Sequence, residues 1–169
     1  MKIHIKEMSP RLWEDLEQLF GEKGACGGCW CMWWRIELGE KWQDVKGQKA
    51  KERFRTMIEK GVVRGLIAYD QGEPMGWCTF GKRTDFPRLN RARTLQCEDA
   101  DKVACVPCFY VKNRYRKQGV STELLKAAVQ VLAEGGETLV EGYPVRPTKT
   151  TLIHLPVTRS PFDADLQLE

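Results

Sequence analysis

The stretch Val103-Ala104-Cys105-Val106-Pro107-Cys108-Phe109-Tyr110-Val111, followed by Lys112-Asn113-Arg114-Tyr115-Arg116-Lys117-Gln118-Gly119 and then Val120-Ser121-Thr122-Glu123-Leu124-Leu125, decides the fold. The first nine residues are nearly continuous apolar sequence, as expected of a strand buried on both faces in the middle of a sheet. Pro107 interrupts it. Proline cannot donate to a sheet ladder, so a central strand here must bulge or splay, leaving backbone groups of the residues after it unpaired. From Ser121 to Ala133 the apolar positions Leu124, Leu125, Ala128, Val129 and Leu132 recur at helical spacing and stop at Gly135-Gly136. Between strand and helix stand Arg114, Arg116, Lys117 and Gln118, then Gly119 and the small Ser121. A helix N-terminus offers unpaired N–H groups and about half a positive charge, and glycine lets the backbone approach an anion without a Cβ in the way. The segment predicts an anion cradle.

Outward from it, Lys2-Ile3-His4-Ile5-Lys6 alternates with the period of a half-buried strand, and Ser9-Pro10 opens a helix carrying Leu12, Trp13, Leu16, Leu19 and Phe20 up to Gly21. Residues 24–35, rich first in glycine and then in aromatics, fit neither period and predict a loop or broken helix. A charged helix follows from about Gly47 to Lys60, with Ala50, Phe54, Met57 and Ile58 on one stripe and Gly61 after it. The apolar runs 64–69 and 75–80 flank Asp70-Gln71-Gly72-Glu73-Pro74 and predict a β-hairpin. Residues 84–102 show no period and predict a connecting loop with room for a short helix. Thr138 to Tyr143 is a further short strand. From Arg146 the character changes: no glycine, prolines at 147, 156 and 161, and a single candidate strand over 150–157.

Read outward from the cradle, residues 108–125 closely resemble the GNAT superfamily of N-acetyltransferases. In that family Arg or Gln, two residues, Gly, one residue, then Gly or Ala binds the pyrophosphate of acetyl-coenzyme A. Arg116 and Gly119 fit, and Ser121 is a small residue at the last position. The order strand, two helices, hairpin, central strand, cradle helix, strand over residues 1–144 matches the family too. Cys26 to Arg35 and Glu141-Gly142-Tyr143-Pro144 resemble a subset with a Cys- and Trp-rich segment after its first helix. The resemblance implies an α/β (α+β) fold with a mixed, mostly antiparallel central sheet flanked by helices and a splayed central strand. It also implies a division into an acetyltransferase domain at 1–145 and an atypical tail at 146–169.

For function the resemblance implies direct attack of an amine on the thioester of acetyl-coenzyme A. Phe109, Tyr110 and Val111 would pair with the pantetheine, and Arg116, Lys117, Gln118, Gly119, Val120 and Ser121 would hold the pyrophosphate. Glu141 is the candidate base, with a solvated strand-end acid as the alternative, and Tyr143 the candidate acid. The family takes that tyrosine from a later helix, which this chain does not visibly have. In the family the 26–35 segment overlies the acceptor pocket, so Trp30, Trp33 and Trp34 are candidates to line it, against the plainer reading that they plug the core. A catalytically inactive coenzyme-A-binding module is the alternative raised by the altered tail. A small-molecule or peptide amine is the expected acceptor, and a homodimer is an arrangement that the resemblance allows.

Other classes fit less well. Of the 169 residues, 27 are Lys or Arg and 23 Asp or Glu, and a net charge of +4 falls short of a nucleic-acid footprint. The N-terminal residues have neither the apolar core nor the cleavage site of a signal peptide, no apolar run approaches a membrane span, and the expected location is the cytoplasm. The odd count of 7 cysteines argues against a disulfide framework. Cys26, Cys29 and Cys31 keep a metal or redox protein among the alternatives. Cys105 and Cys108, three apart on a strand, are expected on opposite faces, too far apart to share a metal; no metal site is expected.

Overall fold

A computed structural model describes residues 2–143 in full and, beyond them, the backbone of the strands at 145–147, 152–154 and 158–161. Its strands are β1 (Ile3–Glu7), β2 (Arg64–Asp70), β3 (Glu73–Lys82), β4 (Ala104–Val111), β5 (Leu139–Gly142), β6 (Val145–Pro147), β7 (Leu152–His154) and β8 (Thr158–Pro161). The helices are α1 (Trp13–Phe20), α2 (Trp42–Val45), α3 (Gln48–Glu59), α4 (Pro87–Arg91) and α5 (Val120–Glu134). The main sheet runs β1-β2-β3-β4-β5-β8, antiparallel except for the β4–β5 pair, and β6 pairs with β7 separately.

Helices cover both faces because their apolar stripes leave them no other way to desolvate. On one face Trp13, Leu16, Leu19 and Phe20 of α1 and Ala50, Phe54 and Ile58 of α3 close over Ile67, Tyr69 and Trp77. On the other, Val120, Leu124, Ala128 and Leu132 of α5 cover Leu66, Ala68, Cys78, Phe80, Ala104, Val106 and Val140. Gly76 sets how closely α5 sits on β3: a Cβ there would lie 2.8 Å from Val120 Cγ1 and 3.1 Å from Leu124 Cδ1. A third cluster joins Phe86, Leu89, Leu95 and Cys105, with Trp34 and Tyr143 against it.

Two expectations about β4 change. Its burial on both faces ends at Val106, and the residues from Pro107 on are half-buried or exposed. Its register against β3 also slips: Thr79 pairs with Cys108 but Gly81 pairs with Cys105, so three steps along β4 match two along β3. That inserted residue, a bulge at Val106-Pro107 opposite Phe80, restores parity. Thr79 and Gly81 share a face, so Cys105 and Cys108 share one as well, not opposite faces as plain alternation requires. The 84–102 segment carries α4 between short 3-10 turns. The tail supplies β8, which pairs with β5 over Leu139–Gly142, and the strand expected over 150–157 falls partly on β7 and partly outside the described residues.

Candidate active site

The parallel pairing of β4 with β5 covers only Ala104, Cys105 and Val106. It stops at Pro107, while β4 runs on to Val111 against β3 alone. The Lys112 N–H donates to the Met75 carbonyl at 3.0 Å. In an antiparallel ladder such bonds recur at every second residue, so Cys108 and Tyr110 bond toward β3 while Phe109 and Val111 point their backbone groups toward the open side. The Val111 carbonyl accepts from Arg116 Nε at 3.0 Å, as that parity requires. Phe109 thus brings an N–H and a C=O, and Val111 an N–H, to the gap that β5 leaves.

The cradle closes the same gap. A 3-10 turn at Asn113–Tyr115 leads into Gly119, which caps α5 at φ 81° with no side chain bonded to the helix end. Helix geometry leaves the amides of the first turn without intrahelical partners, and they face outward with the positive end of the dipole. A cleft of about 490 Å³ lies over them, lined by Cys26, Phe109, Tyr110, Val111, Arg116, Lys117, Val120 and Ser121 among others. Gln118 turns its amide back to the Arg114 carbonyl at 2.7 Å and shapes the loop from behind. Not every cation of the segment serves it: Glu73 pairs with both Lys112 and Arg114, leaving Arg116 and Lys117 as the side-chain charges at the cleft. An uncapped helix end, an unpaired strand edge and an open cleft between them fit a phosphorylated, amide-bearing chain such as coenzyme A.

At the other side of the break, Glu141 and Tyr143 come together, but not in the open. Glu141 is 1% exposed. Its Oε2 accepts from Arg83 Nη1 at 2.5 Å and from the Tyr143 hydroxyl at 2.7 Å, and Arg83 Nη1 also reaches the Tyr143 oxygen at 2.7 Å. Arg83 is itself fully buried and donates to the Leu95 carbonyl as well. Burial, with Cys105 and Glu141 close by, holds the Tyr143 phenol well above the ordinary tyrosine range. The solvated strand-end acid given as the alternative at position 141 is not found; the candidate base Glu141 stands in a sealed ion pair.

The tryptophans separate. Trp30 lies in the core, 5.9 Å from Trp13 in a stacked pair and 5.5 Å from Phe20, where it supports the loop instead of lining the cleft. Trp33 meets Trp42 edge to face, and the Arg88 guanidinium sits 3.5 Å from its ring centroid, so a cation already occupies that π face. Trp34 packs against the third cluster, as Tyr143 does. Among the described residues no group of three or more His, Cys, Asp or Glu side chains is placed to hold a metal ion.

The model of the Acetyltransferase (GNAT) family matches residues 28–149, which includes the break, the cradle and the Glu141 cluster. The chain belongs to this family. Its activity is therefore acetyl transfer with acetyl-coenzyme A as the donor. Among solved structures, AAC(6')-Iy bound to the bisubstrate analogue CoA-S-monomethyl-acetylneamine superposes with a TM-score of 0.58 at 16% identity, over 89% of this chain and 84% of that one. The PaiA N-acetyltransferase of Thermoplasma acidophilum in complex with coenzyme A gives 0.54 at 16% identity, with the same two coverages. At such identities the likeness shows the GNAT fold alone. A comparison with curated protein sequences finds no match. Among the described residues no helix is long and apolar enough to cross a membrane.

Sequence reasoning missed Arg83, the buried cation that organises Glu141 and Tyr143, and Arg35, which is 3% exposed and donates to Thr79 Oγ1 at 3.0 Å. Arg83 sits 58 residues from Glu141, and in sequence it is one arginine among many in a charged stretch. Arg35, at the end of the aromatic run, was open to closer reading, since an arginine flanked by Trp34 and Ile36 has apolar neighbours on both sides.

Proposed function

We propose that the chain transfers the acetyl group of acetyl-coenzyme A to an amine by direct attack on the thioester, with the pantetheine added as a strand along Phe109–Val111. The observation that carries this reading is the loss of β4–β5 pairing at Pro107 beside the uncapped end of α5. Arg116, Lys117 and the amides of Gly119, Val120 and Ser121 hold the pyrophosphate, as anions bind at helix N-termini. Arg116 also ties the cradle to the strand edge through its bond to the Val111 carbonyl.

Acetyl-coenzyme A supplies the activated carbonyl. Rate then comes from holding an amine against that carbonyl in the break, where positioning substitutes for entropy lost in solution. Glu141 and Tyr143 act as positioning residues, fixing the end of β5 through Arg83. The Tyr143 hydrogen is committed to Glu141, and Glu141 is sealed from solvent, so the proton that the ammonium must lose before attack leaves to water entering the break. A small primary amine or a peptide terminus fits an opening of this kind.

The test is release of free thiol from acetyl-coenzyme A across a panel of small amines and peptides, with a pH profile on the best acceptor. The rate is expected to rise with pH along the acceptor's own ionisation and to show no inflection from an enzyme base. Saturable binding of the donor without turnover on any acceptor overturns the reading, and a separate acidic inflection that disappears in Glu141→Gln restores Glu141 as the base.

A further inference from the structure

A group of thiols lies behind the cleft and takes no part in the chemistry above. Cys31, at the end of the glycine-rich loop, is 5% exposed and points into the core that α1, α3 and Trp77 share. Trp77 Nε1 donates to its Sγ at 3.3 Å. Cys108, brought to this face by the bulge in β4, packs against the same cluster and hydrogen bonds to the Cys31 sulfur. The two are 77 residues apart in sequence, so only the fold brings them together.

The third member is Arg35. Its guanidinium is buried, donates to Thr79 Oγ1 and to the Asp85 carbonyl, and among the described residues has no hydrogen-bond partner for Nε. Among the charges that offset the burial of this cation, Cys31 stands first, ahead of Asp85, Cys105 and Cys108. A buried arginine bonded to neutral oxygens is offset by nearby negative charge, and the Cys31 thiol and the Asp85 carboxylate both supply it here. Thiolates of this kind, paired with a cation and held by N–H donors, are the reactive form of cysteine.

We propose that Cys31 and Cys108 form a redox-active dithiol site that is oxidised by small hydroperoxides to an intramolecular disulfide. The Cys31 thiolate attacks a peroxide oxygen, the O–O bond breaks, and the leaving alkoxide or hydroxide takes a proton, so that Cys31 becomes a sulfenic acid. The Cys108 sulfur then attacks that sulfur, the S–O bond breaks, and water departs with the Cys108 proton. Two thiols lose two electrons in total and the hydroperoxide gains them. The direction of ionisation suits these roles: the hydrogen bond from Cys108, with Arg35, Trp77 and Thr79, brings the Cys31 thiol below its ordinary value against the effect of burial, and the same contact keeps Cys108 protonated. The disulfide ties the loop to β4 one residue past Pro107. This site stands on the thiol geometry and does not depend on how the amine is acetylated.

The experiment treats the reduced full chain with hydrogen peroxide, alkylates the remaining thiols with N-ethylmaleimide under denaturing conditions, and maps peptides by mass spectrometry. The expected result is loss of two alkylatable thiols, a Cys31–Cys108 cross-linked peptide, and reversal by dithiothreitol. The same link is expected in a Cys26→Ser, Cys29→Ser double variant, which lacks the more accessible thiols. In Cys108→Ser the cross-link is replaced by a dimedone adduct on Cys31. Cross-links confined to Cys26, Cys29 or Cys97, or a Cys31 that stays fully alkylatable after excess peroxide, overturn the proposal.

Discussion

Replacing Glu141 by Leu separates a positioning role from a catalytic one. The side chains of Arg83 and Glu141 are both 0% exposed and 2.5 Å apart, so the substitution takes the Glu141 counter-charge from a guanidinium buried among Leu89, Leu95 and Tyr143. Removing one partner of a buried pair costs about 3–5 kcal/mol. With a urea slope of about 2 kcal/mol per molar for a domain of this size, the denaturation midpoint falls by about 2 M. Arg83→Met takes the guanidinium from the buried carboxylate in turn and is also destabilising. The double variant Arg83→Met, Glu141→Leu removes both charges, and a buried pair replaced by apolar groups is often close to neutral, so it is expected to be more stable than either single variant. The assay is urea unfolding followed by tryptophan fluorescence on the parent and the three variants. A Glu141→Leu midpoint within about 0.3 M of the parent, which that slope makes a cost of about 0.6 kcal/mol, together with lost turnover, refutes the reasoning and makes Glu141 a catalytic group with no structural part.

Three further outcomes follow from the geometry. Arg116→Ala removes an exposed side chain that links the Val111 carbonyl to the cradle; a hydrogen bond from a charged group is worth about 1.5–3 kcal/mol, so donor binding weakens by about 10- to 100-fold in calorimetry while the melting temperature barely moves. Gly76→Val places new atoms against Val120 and Leu124, overpacks the β3–α5 contact by about 1–3 kcal/mol, and lowers both melting temperature and donor affinity, whereas unchanged affinity would show that α5 is not set by this contact. The thiols of Cys29 and Cys78 are pushed up by burial from 9.0 to about 11 and about 12. The folded state therefore holds those protons where the unfolded chain releases them, and stability present below pH 9 is lost as pH rises through that range; thermal melts between pH 8 and about 11 check the sign, and a melting temperature that climbs over this range contradicts it.

Much of the frame was legible in the sequence because it rests on local periods. The stripe in α3, the hairpin around Asp70–Glu73 and the apolar face of α5 each record contact with one sheet face, and the structure places all three as their spacing requires. Pro107 was the most informative residue: its missing N–H marks the place where β5 leaves β4. What the sequence concealed was the consequence of the bulge, since a single inserted residue reverses which side chains of β4 share a face, and no period announces it. The Arg83–Glu141–Tyr143 cluster was half visible, as two residues at a strand end, but its buried cation comes from just past the far end of β3. Trp30, Trp33 and Trp34 look alike in sequence and divide between the core, a stacked arginine and the third cluster, because a loop with left-handed residues at Trp30 and Cys31 follows no helical or strand alternation.

The most direct measurement is calorimetric titration with acetyl-coenzyme A of the parent chain, Gly119→Asn and Gly119→Glu. Position 119 has φ 81°, and nothing lies within 4 Å of the place a Cβ would take there; asparagine tolerates this left-handed conformation. Saturable binding in the parent, retained in Gly119→Asn and lost in Gly119→Glu with all three folded, is the predicted result, because only the carboxylate opposes a phosphate at the helix end. Equal binding in Gly119→Glu and the parent would place the donor elsewhere and contradict the cradle.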